Sequence, residues 1–414
     1  MFFLYNLVAY FAELLLHLFA LFSPKIKLFV EGRKDVFKIL GNKITPSDKT
    51  IWFHAASLGE YEQGLPIMEQ VKTKFPNHKM VLTFFSPSGY EIRKNNAVAD
   101  VTIYLPLDTP KNAKRFLKLV KPEMVFFIKY EYWPNYLKEL QKKNVKTFLI
   151  SGIFRKNQAF FKWYGGFYRN ALKTFHHFFV QNHTSKELVQ SIGFNNVTVA
   201  GDTRFDRVAT ILEKDNRLDF IESFCDNSTP DSKKTTIVIG SSWPKDEELL
   251  IDYINKTTHN LKFIIAPHNI KSEQIEKLKT AITKKTVLFS EMAGKPLSEY
   301  DIFIIDTIGI LTKIYSYADI AYVGGGFGHP GVHNILEPAT FGVPIVIGPN
   351  YSHFAEATAL VHQEGCISIK DQKEMNQALD LLVQNLDERH EKGHICSTFV
   401  QMNKGATEKI LNLI

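Results

Sequence analysis

The feature that most constrains the fold is a regular alternation that begins at residue 51. Short β-branched or aromatic runs alternate with amphipathic segments long enough to be crossover helices, such as 61–75, 110–120 and 135–143. The runs predict strands at 51–54, 80–84, 101–104, 124–127, 147–150, 178–180 and 197–199. Strands that alternate with helices in this way predict an α/β fold with a doubly wound parallel sheet.

A break in the pattern divides the chain. Residues 226–234 are polar, contain a proline and lack periodicity, so they predict a linker. A second alternation follows, with strands predicted at 235–240, 261–266, 286–288, 301–305, 320–323 and 344–347. A chain of 414 residues is too long for one core. We therefore predict two tandem Rossmann-like domains, 25–225 and 235–414, and a ligand cleft between them at the carboxyl ends of their strands.

The N-terminal segment does not fit this globular pattern. Residues 1–22 are almost wholly apolar, with Asn6, Glu13 and His17 as the exceptions. The length approaches the ~20 residues that cross a bilayer, but Glu13 at mid-membrane would cost ~2.5–3.5 kcal/mol. A signal peptide is not indicated, since no basic region precedes the run and no small-residue cleavage site follows it. We predict a membrane-associated helix over 1–24, spanning or interfacial; the alternative is an ordinary buried helix.

Charge and cysteine content narrow the partners. The basic residues that follow the apolar segment predict that the rest of the chain stays on the cytoplasmic side; they are Lys25, Lys27, Arg33, Lys34 and Lys38. A net charge of +7 fits an anionic substrate or membrane surface, and it is weak evidence for nucleic acid. Three widely spaced cysteines indicate a reducing compartment and no metal site.

An aromatic and basic segment at 154–179 allows three interpretations. It could bind nucleic acid by stacking, contact anionic lipid, or form a core helix with a basic outer face. We favour lipid over nucleic acid, because the N-terminal helix would meet the same membrane.

A glycine-rich stretch, VGGGFGHPGVHNILEP at 323–338, follows a predicted strand and leads into a helix predicted over 334–341. Glycines such as Gly325 and Gly326 let backbone N–H groups approach a ligand, and a helix N-terminus favours an anion. Glu337 would repel phosphate but can accept hydrogen bonds from sugar hydroxyls. The pattern suggests a nucleotide site; the alternative is a turn that only allows close strand–helix packing. Further turns lie at strand ends, at 240–243, 266–268 and 306–309, and they favour the interpretation as a nucleotide site.

Three groups of residues at strand ends in the first half are further candidates. Glu60 follows the first strand and could act as a general base, although Ser57 and Glu60 also form a capping-box pattern. The cluster at 129–135 could bind a sugar, or could start a helix at Pro134. Arg204 could neutralise a carboxylate or phosphate, or could form a surface ion pair with a neighbouring aspartate.

Together these motifs resemble one family, the 3-deoxy-D-manno-octulosonic acid (Kdo) transferases of lipopolysaccharide synthesis. The resemblance runs through HAASLGE at 54–60, TFFSPSG at 83–89, EYWPN at 131–135, AGDTRFD at 200–206, DTIG at 306–309 and VGGGFGHPGVHNILEPATFGVP at 323–344. It implies a two-domain GT-B glycosyltransferase on the cytoplasmic face of the inner membrane, inverting and independent of metals and cofactors. The implied donor is CMP-Kdo and the implied acceptor is the lipid A disaccharide precursor.

The resemblance also assigns residues. Glu60 matches the general base, and Arg204 matches a basic residue that stabilises charge in the transition state. The positions expected to bind CMP are Pro267, His268, Ile308, Gly309, Ile310, Gly325, Gly326, Asn334, Ile335, Leu336 and Glu337. The candidates for the acceptor or the cleft are Ser57, Gly59, Ser86, Glu131 and Arg155. Departures from the family pattern occur at Lys129, His268 and Ile310. The competing hypotheses are a UDP-sugar 2-epimerase of the same fold and an inactive lipid-binding scaffold.

Overall fold

The computed structural model describes residues 1–225, 234–329 and 331–414. The chain forms two compact units, Met1–Arg207 with Lys404–Ile414, and Val208–Asn403. These bounds differ from the predicted domain limits, and 226–233 of the predicted linker lie outside the described residues. Residues 208–225 belong to the second unit because Ile221 and Phe224 pack into its core. The C-terminal residues belong to the first unit because Ile410 is buried in that unit's core.

The first unit contains a parallel sheet of seven strands. Its strands are β1 (Lys49–Ala55), β2 (His78–Phe84), β3 (Val101–Tyr104), β4 (Pro122–Ile128), β5 (Lys146–Gly152), β6 (His177–Val180) and β7 (Val197–Val199). All seven coincide with predicted strands. Trp52 and Phe53 are adjacent on β1 and fully buried in different core clusters, so both faces of the sheet are covered. Burial on both faces explains why these strands are continuously apolar.

Helices cover the two faces of this sheet. They are α1 (Phe2–Phe19), α2 (Pro24–Glu31), α3 (Val36–Lys43), α4 (Leu58–Lys74), α5 (Pro87–Arg93), α6 (Pro110–Val120), α7 (Pro134–Lys142), α8 (Gly166–Leu172), α9 (His183–Ser191) and α10 (Thr203–Ala209). Proline occupies the first turn of α5, α6 and α7, where its missing N–H costs nothing. The chain order of the strands across the sheet is β3-β2-β1-β4-β5-β6-β7. The direction of winding therefore reverses between β1 and β4, where ligand sites form in such sheets.

The second unit has the same architecture. Its strands are β8 (Thr235–Ser242), β9 (Leu261–Pro267), β10 (Thr286–Leu288), β11 (Ile302–Ile304), β12 (Ile320–Val323), β13 (Ile345–Ile347) and β14 (Cys366–Ser368). Six of them coincide with predicted strands, and β14 was not predicted. The order β10-β11-β9-β8-β12-β13-β14 places the reversal between β8 and β12.

The remaining helices complete the two units. They are α11 (Asp219–Cys225), α12 (Pro244–Lys256), α13 (Ser272–Ala281), α14 (Leu311–Ile314), α15 (Leu336–Thr340), α16 (Ala355–His362), α17 (Gln372–Gln384), α18 (Leu386–Asn403) and, in the first unit, α19 (Ala406–Leu411). The predicted helix over 334–341 is only the short α15. Two doubly wound Rossmann-like units confirm the predicted fold class.

Helix α1 lies against the first unit along one face. The Tyr5 hydroxyl donates to the Asp108 carboxylate at 2.7 Å, and the Asn6 side chain accepts from the Asn135 amide at 2.9 Å. No residue of α1 is buried, so the alternative of an ordinary buried helix is wrong. Its outer face exposes large apolar side chains, among them Phe3 and Leu14. In the described part of the chain, α1 is the single helix long and apolar enough to span a bilayer by length and composition.

The aromatic segment at 154–179 contributes mainly to the core. Phe160, Phe175 and Phe178 are buried in the cluster on one face of the first sheet. Trp163, by contrast, is 92% exposed. The core interpretation is therefore confirmed for these three phenylalanines.

Candidate active site

Glu60 lies in the first turn of α4, directly after β1 and at the reversal point of the first sheet. The side chain is buried, and its carboxylate accepts the backbone N–H of Ala56. Ser57 precedes the helix, but its hydroxyl makes no capping hydrogen bond. The Glu60 carboxylate thus bonds the residue before the N-cap, and the Ser57 hydroxyl does not complete the predicted capping box. Glu60 caps its own helix and is also held at the strand end where a ligand site was predicted.

Glu131 follows β4, the strand next to β1, and it is also buried. Its carboxylate accepts the indole N–H of Trp133 at 2.7 Å and lies 3.1 Å from Nε2 of His54. His54 is fully buried, and its Nδ1 lies 2.8 Å from the hydroxyl of Thr83. This network fixes the Glu131 side chain in one orientation. The sequence indicated Glu131; His54 opens the HAASLGE motif but was not assigned a role, because an apolar-flanked histidine within a strand is usually structural.

The two carboxylates interact electrostatically. Burial raises the pKa of Glu60 to about 8, and the charge of Glu131 adds to the effect. The Ala56 N–H and the Lys129 ammonium oppose the rise. A carboxyl group with a pKa near the working pH can accept a proton from a hydroxyl far better than an ordinary surface glutamate. Such perturbed carboxyl groups concentrate at functional sites.

The backbone is strained at two strand ends beside these carboxylates. Lys129 after β4 and Ser151 at the end of β5 adopt left-handed conformations, with φ of 69° and 52°. Side chains other than glycine rarely adopt this region, so the surrounding structure must impose it. The Lys129 ammonium and the Arg155 guanidinium both lie over the Tyr130 ring, 4.9 and 5.4 Å from its centre. Arg155, an acceptor candidate, therefore lies in a cationic cluster that includes Lys129.

The other acceptor candidates surround the start of α4. The backbone N–H of Ser86 donates to the Ala56 carbonyl at 2.7 Å, and this bond places Ser86 beside the Glu60 turn. The Ser86 hydroxyl caps α5 by accepting from Ser88 N–H. A side chain added at Gly59 would meet nothing within 4 Å, so the helix surface there is open.

Arg204 forms an ion pair with Asp202. This ion pair was the alternative to a role in binding a carboxylate or phosphate. Its Nε and Nη2 lie 2.9 and 2.8 Å from the Asp202 carboxylate, with 29% of the arginine side chain exposed. Asp206 instead accepts from the backbone N–H and the hydroxyl of Thr407. The pairing fixes the orientation of Arg204 at the end of β7. The ion-pair alternative is therefore present in the structure, and a binding role for Arg204 stays a prediction.

The glycine-rich loop in the second unit is held mainly by its own backbone bonds. A Cβ at Gly324 would collide with the Ser241 backbone, and one at Gly326 would lie 2.7 Å from Cα of Gly348. The Gly325 N–H, at φ +92°, donates to the buried Asp246 carboxylate at 2.8 Å. These glycines allow close backbone approach to the ends of β8 and β13, and a ligand-binding role for Gly325 and Gly326 stays a prediction. The Gly325 N–H is engaged within the protein, and Pro330 of the loop lies outside the described residues.

Three further N–H groups of the predicted phosphate cradle already have hydrogen-bond partners within the protein. The N–H groups of Gly328, Gly331 and His333 all donate to carbonyl groups of the same loop. The helix that follows, α15, has only five residues. Its dipole is correspondingly small. The N–H groups of Gly325, Gly328, Gly331 and His333 therefore stabilise the loop, and phosphate binding by the rest of the predicted cradle stays a prediction.

Three aromatic rings stack where β8, β9 and β12 end. The His268 ring lies 4.6 Å from Trp243 and 4.6 Å from His333, centre to centre, with interplanar angles of 16° and 30°. The Trp243 indole N–H donates to Nε2 of His333 at 2.8 Å. This bond requires an unprotonated Nε2, so the neutral ring carries its proton on Nδ1. Burial, with a contribution from His268, lowers the pKa of His333 to about 4.

His268 was predicted as a donor contact, whereas Trp243 and His333 were missed. The available signals were weak: Trp243 directly follows a strand, and His333 lies inside the glycine-rich loop. Both residues adjoin the reversal point of the second sheet, where open α/β sheets bind ligands.

Thr312 connects two segments that were predicted to bind the donor, 308–310 and 334–337. Thr312 was not identified from the sequence. Its hydroxyl donates to Glu337 at 2.8 Å, and the Asn334 amide donates to the other oxygen at 3.0 Å. Thr312 follows 308–310, where Ile308 is 80% exposed and Gly309 has φ +94°. Ile310 precedes α14 and is partly buried.

The remaining donor candidates have limited access to a ligand. Ile335 and Leu336 are buried as whole residues. Pro267 ends β9 beside His268. Within the described residues, no group of three or more His, Cys, Asp or Glu side chains could hold a metal ion.

Comparisons with known proteins agree with this geometry. Residues 32–207 match the family described as 3-Deoxy-D-manno-octulosonic-acid transferase (kdotransferase). The 3-deoxy-D-manno-octulosonic acid transferase of Chlamydia trachomatis serovar D is 29% identical over 383 residues, which is 87% of this chain and 86% of that protein. The enzyme of the same name from Aquifex aeolicus is 28% identical, over 78% of this chain and 83% of its own.

Solved structures show the same fold at low identity. UDP-GlcNAc 2-epimerase from Neisseria meningitidis aligns with a TM-score of 0.60 at 13% identity, over 88% of this chain and 98% of its own. MurG from Acinetobacter baumannii aligns with a TM-score of 0.55 at 14% identity, over 89% and 99%. The fold and the relatives together define a glycosyltransferase of GT-B architecture. Within this class, the chain is similar in sequence to 3-deoxy-D-manno-octulosonic acid transferases, at 28–29% identity over most of its length.

Proposed function

We propose that this enzyme transfers Kdo from CMP-Kdo to a hydroxyl of the lipid A disaccharide precursor, with inversion and without a metal. The observation that carries the proposal is the buried Glu60 carboxylate, whose pKa is raised to about 8 beside Glu131. A base of this kind suits the activation of a sugar hydroxyl, a weak nucleophile that must lose its proton during attack.

The proposed reaction is a single displacement. The acceptor oxygen attacks the anomeric carbon of Kdo, while the bond from that carbon to the phosphate oxygen of CMP breaks. The acceptor proton passes to Glu60, and the electron pair of the broken bond leaves with CMP. Glu131 raises the basicity of Glu60, because a nearby negative charge disfavours the ionised form.

In this proposal, the second unit binds the donor. Glu337, oriented by Asn334 and Thr312, accepts hydrogen bonds from the ribose hydroxyls. The imidazole groups of His268 and His333 contact the CMP phosphate. The exposed segment 308–310, with Pro267 and the Gly325–Gly326 turn, completes the donor site.

Arg204 stabilises the negative charge that develops on the leaving phosphate. Fixed positive charge at the point where charge develops is among the larger contributions to catalysis. Asp202 keeps the guanidinium aligned, with two contacts of 2.9 and 2.8 Å.

Membrane attachment is proposed through α1, lying in the interface of the inner membrane on its cytoplasmic side. Its exposed apolar side chains support binding to lipid, and the basic residues Lys25 and Lys27 directly after it support binding to an anionic surface. The interfacial orientation is favoured because Tyr5 and Asn6 are hydrogen-bonded to the first unit.

The proposal is tested with the purified full chain, CMP-Kdo and a lipid A precursor in detergent. Mass spectrometry is expected to show the acceptor with added Kdo, and thermal unfolding is expected to show stabilisation by CMP but not by UDP. Stabilisation by UDP alone, with epimerisation of UDP-GlcNAc, would instead establish the 2-epimerase alternative. Absence of any product with intact CMP-Kdo and acceptor would favour the inactive scaffold.

A further inference from the structure

A cavity of about 190 Å³ lies between the N-terminal helices and the loop that leads into α5. Most of its lining is apolar: Leu16 from α1, Ile26 and Phe29 from α2, and Phe85 and Pro87 from the loop and α5. Lys25 and Ser86 supply the polar part of the lining. An apolar cavity of this kind is poorly suited to water and well suited to hydrocarbon.

The aromatic wall of the cavity is held in place by Arg33. The Phe29 and Phe85 rings meet edge to face, 5.1 Å apart. The Arg33 guanidinium lies 3.5 Å from the centre of the Phe29 ring and donates to the backbone carbonyl groups of both phenylalanines. Arg33 therefore holds both phenylalanines in place, and the cavity does not depend on a mobile side chain.

The same wall reaches the catalytic carboxylates. The Phe85 ring packs 4.7 Å from the Trp133 ring, and the Trp133 indole donates to Glu131. The Ser86 N–H donates to the carbonyl of Ala56, whose own N–H donates to Glu60. The Trp133 side chain thus connects the cavity wall to Glu131, and the Ala56 backbone connects it to Glu60.

On its other side, the cavity adjoins the exposed apolar end of α1 and the turn after it. Leu18, Phe19 and Phe22 are all at least 50% exposed there. Lys25 places a positive charge in the lining, which suits a lipid with an anionic headgroup. A hydrocarbon chain anchored in the cavity would thus continue from an apolar surface and end beside the base.

We infer that this cavity binds one acyl chain of the lipid acceptor and thereby positions its sugar headgroup at Glu60. The inference rests on the proposed function and extends it, since it assigns an acyl-chain subsite to the acceptor side. Remote binding of a non-reacting part of the substrate is a recognised way to orient the reacting group.

The test compares transfer of Kdo to the acylated precursor and to the same disaccharide with all acyl chains removed, in one detergent. Ile26→Trp fills the cavity from α2. Leu28→Trp is the matched control, because Leu28 lies on the same helix, is 48% exposed and does not line the cavity. Ile26→Trp is expected to lower kcat/KM for the acylated acceptor by about tenfold or more, because several methylene groups lose their apolar contacts. It is expected to leave the deacylated acceptor unaffected, and Leu28→Trp to leave both unaffected.

Leu16→Trp, which fills the cavity from α1, provides a second variant if Ile26→Trp does not fold. Equal losses in a filled-cavity variant and in Leu28→Trp would overturn the inference. A wild-type enzyme with the same KM for both acceptors would overturn it as well, while the proposed function would stand. Transfer to neither acceptor by the wild type would contradict the proposed function itself.

Discussion

Glu60 and Glu131 form an electrostatically coupled pair of buried carboxylates at the reversal point of the first sheet. Burial is the main reason that the pKa of Glu60 rises to about 8, and the Glu131 charge is the second. The His54 and Trp133 side chains fix Glu131, whereas backbone N–H groups fix Glu60. In the proposed mechanism the two carboxylates have separate roles: Glu60 exchanges a proton, and Glu131 sets the basicity of Glu60.

The first prediction concerns the pH dependence of transfer. Because Glu60 must be ionised to act as a base, kcat/KM is expected to rise with pH through a midpoint near 8. Glu131→Gln is expected to move the midpoint down, since a negative charge is removed. Lys129→Met is expected to move it up, since the Lys129 ammonium favours ionised Glu60. Profiles measured for the three proteins check both directions, and identical midpoints would refute the coupling.

The second prediction concerns stability. The pKa of Glu60 is raised in the folded state from 4.5 to about 8, so the folded chain retains a proton that the unfolded chain gives up. Stability from this site is fully present below pH 4.5 and is lost as the pH rises through 8. Glu60→Gln removes the dependence while preserving an acceptor for the Ala56 N–H.

Thermal unfolding measured between pH 4.5 and pH 8 tests this pH dependence of stability. Glu60→Gln is expected to unfold at a higher temperature than the wild type above pH 8, by roughly 2–4 °C for each kcal/mol in a domain of this size. The difference is expected to shrink toward pH 4.5. A variant less stable than the wild type at high pH would contradict the raised pKa.

The third prediction concerns the Trp243 indole. Trp243→Phe retains a ring for stacking on His268 but removes the N–H that fixes the His333 tautomer. The dissociation constant for CMP, measured by calorimetry, is expected to rise about two- to tenfold, the value of one ordinary hydrogen bond. Trp163→Phe is the control, because Trp163 is 92% exposed. Equal effects of the two substitutions would remove Trp243 from the donor site.

The fourth prediction concerns recognition of ribose by Glu337. Glu337→Gln is expected to weaken CMP binding by about 10- to 100-fold, because hydrogen bonds to a charged group contribute more than neutral ones. Removing the 2′- or 3′-hydroxyl from CMP is expected to weaken binding to the wild type by a similar factor and to the variant only slightly. Additive losses would show that Glu337 does not contact the ribose.

Most of the fold follows from local sequence pattern because parallel strands buried on both faces are continuously apolar. β14 is the exception: Cys366–Ser368 is too short to show a period and is recognisable only by its pairing with Ile345–Ile347. The return of α19 to the first unit is also invisible locally. An apolar stripe on a helix predicts burial, but it does not identify the sheet against which the helix packs.

The candidate site could be predicted only in part, for a related reason. Glu60, Glu131 and Glu337 are recognisable because they follow strands or the glycine-rich loop. Other contacts of the site join residues that are distant in sequence: His54 is 77 residues from Glu131, and Trp243 is 90 residues from His333. The bond from Gly325 to Asp246, across 79 residues, likewise turns a predicted phosphate donor into part of the loop's own framework.

The most direct test of Glu60 as the catalytic base is transfer of Kdo by Glu60→Ala. Product formation from CMP-Kdo and the lipid A precursor is measured by mass spectrometry, and CMP binding by calorimetry on the same preparation. Transfer is expected to fall by about 10²–10⁴-fold, the usual contribution of a general base. The dissociation constant for CMP is expected to remain that of the wild type. A Glu60→Ala enzyme that transfers Kdo at the wild-type rate would contradict the assignment.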